Sequence, residues 1–230
     1  MILQGENILK QYHHKGGLIN ALDHVSFNVE KGDFVTVTGP SGSGKSTLLL
    51  SIFGLIRLTS GTIVFDGHRI DNIKDRHLTE IRKKSVGYIL QSFALIPYLT
   101  TIQNVMIPLA LEKVSGKDQV KRASEILDYI GLADRMEHLP RELSAGQQQR
   151  VAIARSIIHR PKIIMADEPT GNLDPSLSLE ILNFLKKINQ ENKITIIMVT
   201  HSPVAAEYGT MKLHLNDGKI IKSSIVNRQS

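Results

Sequence analysis

The sequence predicts an α/β protein with a mostly parallel sheet, an antiparallel β flank and an inserted α-helical subdomain. Short apolar, β-branched runs recur along the chain: "DFVTVTG" (33–39), "SVGYIL" (85–90), "PKIIMAD" (161–167) and "KITIIMVTH" (193–201). Strands without polar alternation are covered on both faces, which is the pattern of a parallel sheet under helices. By contrast, "LINALDHVSFNVE" (18–30), "GTIVFDG" (61–67) and "MKLHLNDGKIIKS" (211–223) alternate and carry the turn signals Asp66-Gly67 and Asp217-Gly218, so they are expected on the antiparallel flank. From Thr101 to about His159 the strand signal vanishes and helical spacing dominates, in "QVKRASEILDYIGL" (119–132) and "GQQQRVAIARSII" (146–158). Residues 101–159 are therefore expected as a helical subdomain inserted into a core of 1–100 and 160–230, within one domain spanning 1–230.

Composition bounds the function. A chain of 230 residues with 41% hydrophobic and 22% charged content buries a substantial core. The absence of cysteine excludes a disulfide framework, a thiolate metal site and a thiol nucleophile. The longest nearly apolar run, Thr47 to Ile56, is stopped by Arg57, well short of the roughly 20 residues that a membrane-spanning helix needs. The opening "MILQGENILKQY" has neither a basic leader nor a long apolar stretch, so a secretory signal is not expected and the cytoplasm is the expected location. The net charge of +6 suits an anionic ligand, nucleic acid or an acidic membrane face without choosing among them.

The strongest local chemistry is "GPSGSGKST", Gly39, Pro40, Ser41, Gly42, Ser43, Gly44, Lys45, Ser46 and Thr47. It has the spacing of a phosphate-binding loop, follows the apolar strand "FVTVT" and opens an apolar helix, "LLLSIFGLI" (48–56). The glycines let backbone N–H groups wrap a phosphate at a helix N-terminus. Lys45 is expected on the terminal phosphates of a nucleotide and the Ser46 hydroxyl on Mg²⁺. A second signal is "IIMADE" (163–168), an apolar strand ending in two carboxylates. Ligands collect at the carboxyl ends of parallel strands, and consecutive residues point differently. Asp167 is thus expected to hold the metal shell and Glu168 to face the attacking water. Gln91 and His201 also end apolar strands. Gln91 is expected to contribute to water and Mg²⁺ coordination, and His201 to donate a hydrogen bond to the γ-phosphate. Finally, "LSAGQQQR" (143–150) opens a helix with Ser144, Ala145, Gly146 and Gln147. A serine and a glycine at such a start can present backbone N–H groups to an anion.

Taken in order, "GPSGSGKS" (39–46), Gln91, "LSAGQ" (143–147), "IIMADE" (163–168), "NLD" (172–174) and His201 resemble the nucleotide-binding subunit of ATP-binding cassette (ABC) transporters, over nearly the whole chain. The resemblance implies ATP and Mg²⁺ as ligands and adenine stacked on Tyr12. It also implies a head-to-tail pair of subunits in which Ser144 and the N–H groups around Gly146 contact the γ-phosphate held by the other copy. Asp174 is implied at the same interface. Ala145 departs from the family pattern, where glycine is usual, and Leu90 stands where an aromatic is frequent.

Within the family, "ADEPTGNLD" (166–174) and "LQSFALIPYLTTIQNVMIPL" (90–109) look like the branch serving macrolide and antimicrobial-peptide export, lipoprotein release and the related cell-division cassette. That branch implies a separate integral-membrane permease docked near Gln91–Pro108, with Phe93, Leu95, Ile96 and Tyr98 in the groove, and a peripheral place on the inner face of the cell membrane. The competing readings are a transport-independent force transmitter of the cell-division type and a soluble ABC ATPase acting on nucleic acid. The DNA-repair and translation-factor relatives carry long insertions, zinc-binding cysteines or a second cassette. This chain carries none of them, so direct nucleic-acid binding is not expected.

Overall fold

In the computed structural model, which describes residues 1–14 and 17–226, Leu3–His14 (β1) and Gly17–Val29 (β2) pair antiparallel, from Leu3 opposite Val29 to His14 opposite Gly17. Leu3, Ile8, Leu22, Val25 and Val29 are buried, so one apolar face anchors the hairpin. Phe34–Thr38 (β3) and Lys45–Ile52 (α1) follow, then Ser60–Phe65 (β4) and His68–Arg69 (β5), giving an antiparallel sheet of order β2-β1-β4-β5. Asp66 (φ 50°) and Gly67 (φ 79°) both take the left-handed backbone that a two-residue hairpin turn needs.

Helix α1 corrects the expected helix over 48–56. It begins earlier, at Lys45, and stops at Ile52. Gly54 ends it: its N–H bonds the Ser51 carbonyl at 3.0 Å while the Leu55 N–H bonds that of Leu50 at 2.9 Å, which satisfies the last carbonyls of the helix. Asp75–Ser85 (α2) comes next, where the apolar pattern carries no assignment.

The contacts of the chain divide it into two compact units, Met1–Glu80 with Lys186–Ser230, and Ile81–Leu185. In the second, Val86–Leu90 (β6) and Ile163–Asp167 (β7) run parallel with Leu90 opposite Asp167. Between them lie Thr101–Leu111 (α3), Gly116–Tyr129 (α4) and Ala145–Ile157 (α5). Each starts on a hydroxyl cap, Thr100, Ser115 or Ser144, which accepts a backbone N–H three residues on. Val105, Leu109, Ala123, Leu127, Leu132 and Val151 form their shared core. Pro175–Asn192 (α6) starts in this unit and ends in the other.

Back in the first unit, Thr195–Val199 (β8) runs parallel to β3, the short helix Pro203–Ala206 (α7) follows, and Met211–Asn216 (β9) runs parallel to β3 on its other side. Lys219–Ile225 (β10) is antiparallel to β9. The C-terminal hairpin is therefore not on the antiparallel flank, as its alternation suggests, because β9 belongs to the parallel set. Its alternation buries Met211, Leu213 and Leu215 and half-covers the residues between them. That pattern reports how well the second face is covered and is silent on the direction of the neighbouring strand. The Asp217-Gly218 turn has the geometry of Asp66-Gly67. It is tied to β2 by the Asp23 N–H, which donates to the Gly218 carbonyl at 2.8 Å, and by the Lys219–Asp23 ion pair at 3.1 Å. Hydrogen bonds from His24 and Lys219 hold the Asp23 carboxyl below its usual range. Among the described residues, no helix is long and apolar enough to cross a membrane.

Leu127 is fully buried in the helical core. Leu127→Ala is expected to cost about 2–5 kcal/mol of stability, measured as a lowered midpoint in urea unfolding with an unchanged slope.

Candidate active site

In the first unit, β3 delivers the phosphate loop. At Gly39 (φ 147°) a Cβ would collide with the Leu215 carbonyl oxygen, and at Gly44 (φ 101°) with that of Ala21. Any side chain at either position would push the loop off the strand ends that support it. Gly44 is also the N-cap of α1 and supplies no side-chain cap, so the first N–H groups of the helix are not spent on a cap. Lys45 is buried, and its ammonium donates to the carbonyls of Gly39 at 2.9 Å and Pro40 at 2.8 Å. The Ser43 hydroxyl is buried without a hydrogen-bond partner among the described residues. A buried cation, an orphaned hydroxyl and an uncapped helix start together favour a polyanion. Ser41, Gly42 and Ser46 stay open to solvent.

His201 reaches the same strand-end level as the loop. Val37 lies opposite Val199 and the Thr200 N–H donates to the Val37 carbonyl at 3.1 Å, so Gly39 and His201 leave neighbouring strands side by side. They line a cavity of about 460 Å³ with Thr38, Lys212, His214 and Lys222. Tyr12 lies on β1, partly exposed, with the Lys10 ammonium 4.8 Å from its ring centroid. A cation over a tyrosine face leaves the other face for a planar partner.

The second unit repeats the arrangement with different chemistry. Because Leu90 faces Asp167 across parallel strands, Gln91 and Glu168 leave the sheet at one level. Glu168 takes a left-handed backbone, φ 48°, which costs a non-glycine residue about 1–2 kcal/mol. The turn that follows holds it there. The Gly171 N–H donates to the Glu168 carbonyl at 3.0 Å, and Gln149, fully buried on α5, donates its amide N–H to the Pro169 carbonyl. Gln91 is seated on the same turn. Asn172 Nδ2 donates to the Gln91 carbonyl at 2.9 Å, and Gln91 Nε2 points back at Asn172 Oδ1 at 3.4 Å. A Cβ on Gly171 would meet Gln91 Nε2 at 2.8 Å.

Ser144 and Gln147 form a reciprocal cap on α5, the serine oxygen accepting the Gln147 N–H and the Gln147 side chain accepting the Ser144 N–H. Ala145 is exposed, while Gly146 is buried against Leu177 of α6, whose Cδ2 would lie 3.0 Å from a Cβ. That contact brings the start of α5 to the start of α6, where Asp174 Oδ1 accepts the N–H groups of Ser176 and Leu177 at 3.0 and 3.1 Å. The Ser176 hydroxyl, at 2.7 Å, is the main reason the Asp174 carboxyl sits below its usual range, and the Leu177 N–H adds to it.

The structure thus groups the phosphate loop with His201 and Tyr12 in one unit, and Gln91, Asp167, Glu168, Ser144 and Asp174 in the other. Gln149 is a residue to which sequence reasoning gave no role, and Gly171 and Asn172 lie in the quoted "ADEPTGNLD" stretch without one. A third glutamine in "QQQR" that proves wholly buried is a signal only once the helix face is known.

A strand-loop-helix phosphate site, carboxylates at the end of a parallel strand and the Ser144-capped helix α5, which opens on the "LSAGQ" signature and is the signature helix, define an ATP-hydrolysing cassette. The chain belongs to the ABC transporter family, whose profile matches residues 22–171. It is 41% identical to the uncharacterized ABC transporter ATP-binding protein YknY of Bacillus subtilis, covering 97% of this chain and 96% of that one. It is 38% identical to the bacitracin export ATP-binding protein BceA of Halalkalibacterium halodurans, over 95% of this chain and 87% of that one. Among solved structures it is similar to the dimeric post-hydrolysis state of the cassette MJ0796, a Methanocaldococcus jannaschii protein, bound to ADP and Pi. There the TM-score is 0.90 at 38% identity, covering 99% of this chain and 100% of that one.

Lys45→Ala removes the buried ammonium of the loop. With a charge-assisted hydrogen bond worth about 1.5–3 kcal/mol, ATP affinity is expected to fall roughly ten- to a hundredfold and turnover to be nearly lost, with an unchanged circular dichroism spectrum. Nucleotide titration beside a phosphate-release assay measures both.

Proposed function

We propose that two copies of this chain close head to tail over two ATP molecules and that closure and reopening drive a separate integral-membrane subunit from the cytoplasmic face. The observation that carries this reading is the meeting of the α5 and α6 starts through Gly146 and Leu177. It sets the start of α5, whose first N–H groups favour an anion, against the start of α6, whose N–H groups Asp174 caps, in a unit that contains no phosphate loop of its own. Ser144 and Asp174 stand on the corner so formed, Ala145 adds one exposed methyl to it, and the ATP of a second copy fits it. The dimeric form of the similar MJ0796 cassette supports the same assembly.

In this reading the N–H groups of residues 39–47 and Lys45 hold the β- and γ-phosphates, and Tyr12 stacks adenine. Ser46, Asp167 and Gln91 offer hydroxyl, carboxylate and amide oxygens, a hard donor set that suits Mg²⁺. The metal supplies charge neutralisation on the phosphates when bound. Glu168, aimed by its left-handed backbone, accepts a proton from water as the water oxygen bonds to the γ-phosphorus and the bridging bond to ADP breaks. His201 donates to a γ-phosphate oxygen. ADP and phosphate leave, and the contacts that the partner's Ser144 corner made to the γ-phosphate are lost.

The membrane subunit docks on residues 91–108, where Tyr98 is 77% exposed. Export or extraction of peptide, antibiotic or lipid-like cargo is supported by the "ADEPTGNLD" and "LQSFALIPYLTTIQNVMIPL" stretches and by the similarity to a bacitracin export cassette.

Glu168→Gln keeps the size of the side chain and removes the base. Turnover is expected to fall about 10²- to 10⁴-fold while the variant accumulates as an ATP-bound dimer in size-exclusion chromatography with Mg-ATP. Near wild-type turnover would remove Glu168 from the chemistry. Ser144→Arg, in turn, is expected to leave ATP binding by the single chain within about twofold of wild type, because in this reading Ser144 meets the nucleotide of the other copy, yet to abolish the dimer in the Glu168→Gln background. A persisting dimer would place the signature elsewhere.

A further inference from the structure

Residues 93–100 follow Gln91 as a bent segment whose two ends are each held by a polar side chain from a helix. At the far end Asn104 of α3, wholly buried, accepts the Ile96 N–H at 2.8 Å and donates to the carbonyls of Ile96, Leu99 and Thr100 at 3.0–3.1 Å. At the near end stands Arg155, in the last turn of α5. Its guanidinium donates to two successive carbonyls, Phe93 at 2.8 Å and Ala94 at 2.6 Å. Those two residues are both left-handed, φ 59° and 49°, a conformation that neither a phenylalanine nor an alanine holds without help.

The energetics favour a dedicated clamp. Burial pulls the Arg155 guanidinium below its usual pKa, and the guanidinium has no carboxylate partner among the described residues. A half-buried cation with only neutral acceptors commits its donors to geometry, because burying part of a charge is costly unless its hydrogen bonds are made. A planar fork fixes the angle between the two carbonyls it meets, whereas an ammonium on a flexible stem sets no such angle. From Ser144 to Arg155 the helix advances roughly 16 Å, and Val151, Ala152, Ile153 and Ala154 are buried along the way. The two ends of α5 therefore move as one body.

We propose that Arg155 is a positioning residue that fixes the Phe93–Ala94 bend to the signature helix, so that a shift of α5 at its Ser144 end is delivered to the segment carrying Tyr98. This rests on the reading that Ser144 meets the ATP of a second copy and that residues 91–108 receive the membrane subunit. Arg155 touches neither nucleotide nor water in that reading, and it acts through the carbonyls it holds.

The chain has no cysteine, so Tyr98→Cys gives a single, exposed attachment point for a spin label on the full-length protein. The comparison is between Arg155, Arg155→Lys, which keeps charge and reach without the fork, and Arg155→Gln, which keeps one donor and serves if the lysine variant does not fold. Without nucleotide, the mobile fraction of the label is expected to rise at least twofold in either folded variant, while ATP affinity changes less than twofold. In the Glu168→Gln background, Mg-ATP is expected to change the label spectrum only when Arg155 is present, although the dimer forms in all three proteins. An immobile label in the folded variants, or full restoration by lysine, would overturn the clamp. A protein with Arg155 intact that does not dimerise would instead count against two-copy closure, and the nucleotide-free spectra would still decide the role of Arg155.

Discussion

Parallel strand register is the constraint on which the chemistry of both units depends. Backbone hydrogen bonds set Leu90 opposite Asp167 and Val37 opposite Val199, so each polar residue that follows leaves the sheet at the level of its neighbour. Gln91 and Glu168 emerge together in one unit, Gly39 and His201 in the other. Slipping either pair by one residue would exchange the faces on which every side chain of that strand points. The largely apolar strands pay for this alignment, since β8 buries all five residues and β7 four of five, which leaves little freedom of register.

Beyond the strands, position is held by polar side chains that reach backbone carbonyls. Gln149 holds the Pro169 carbonyl, Asn104 the turn at 96–100, Arg155 the bend at 93–94, and Asn189 of α6 the carbonyls of Gly32 and Ile194. Each replaces water on an irregular segment and so converts a loop into a fixed surface. Left-handed backbone at Phe93, Ala94 and Glu168 is tolerated where such contacts over-determine it.

What could be read from residues alone follows from where chemistry restricts the alphabet. A phosphate loop requires glycine where backbones converge and a lysine and hydroxyl at fixed spacing, so residues 39–47 were legible, as were the apolar strands that deliver Asp167 and His201. The direction of β9 was not, because Met211, Leu213 and Leu215 alternate as they would beside a strand of either sense. Nor was the end of α1, where a glycine inside an apolar run outweighed the run. The seat of Gln91 on Asn172 joins residues far apart in the chain, and a polar residue that will cap or clamp looks like any solvated one until its neighbours are known. Arg155 and Gln149 were hidden for that reason.

The reciprocal cap at Ser144 fixes which way its hydroxyl can speak. One lone pair of the serine oxygen is committed to the Gln147 N–H, and the serine's own N–H is committed to the glutamine side chain. What remains for any visitor is chiefly the hydroxyl proton, flanked by the uncompensated N–H groups of the first helical turn. Such a start of a helix offers hydrogens first. The hydroxyl proton and the N–H groups beside it therefore select by polarity, favouring oxygen atoms rich in electrons.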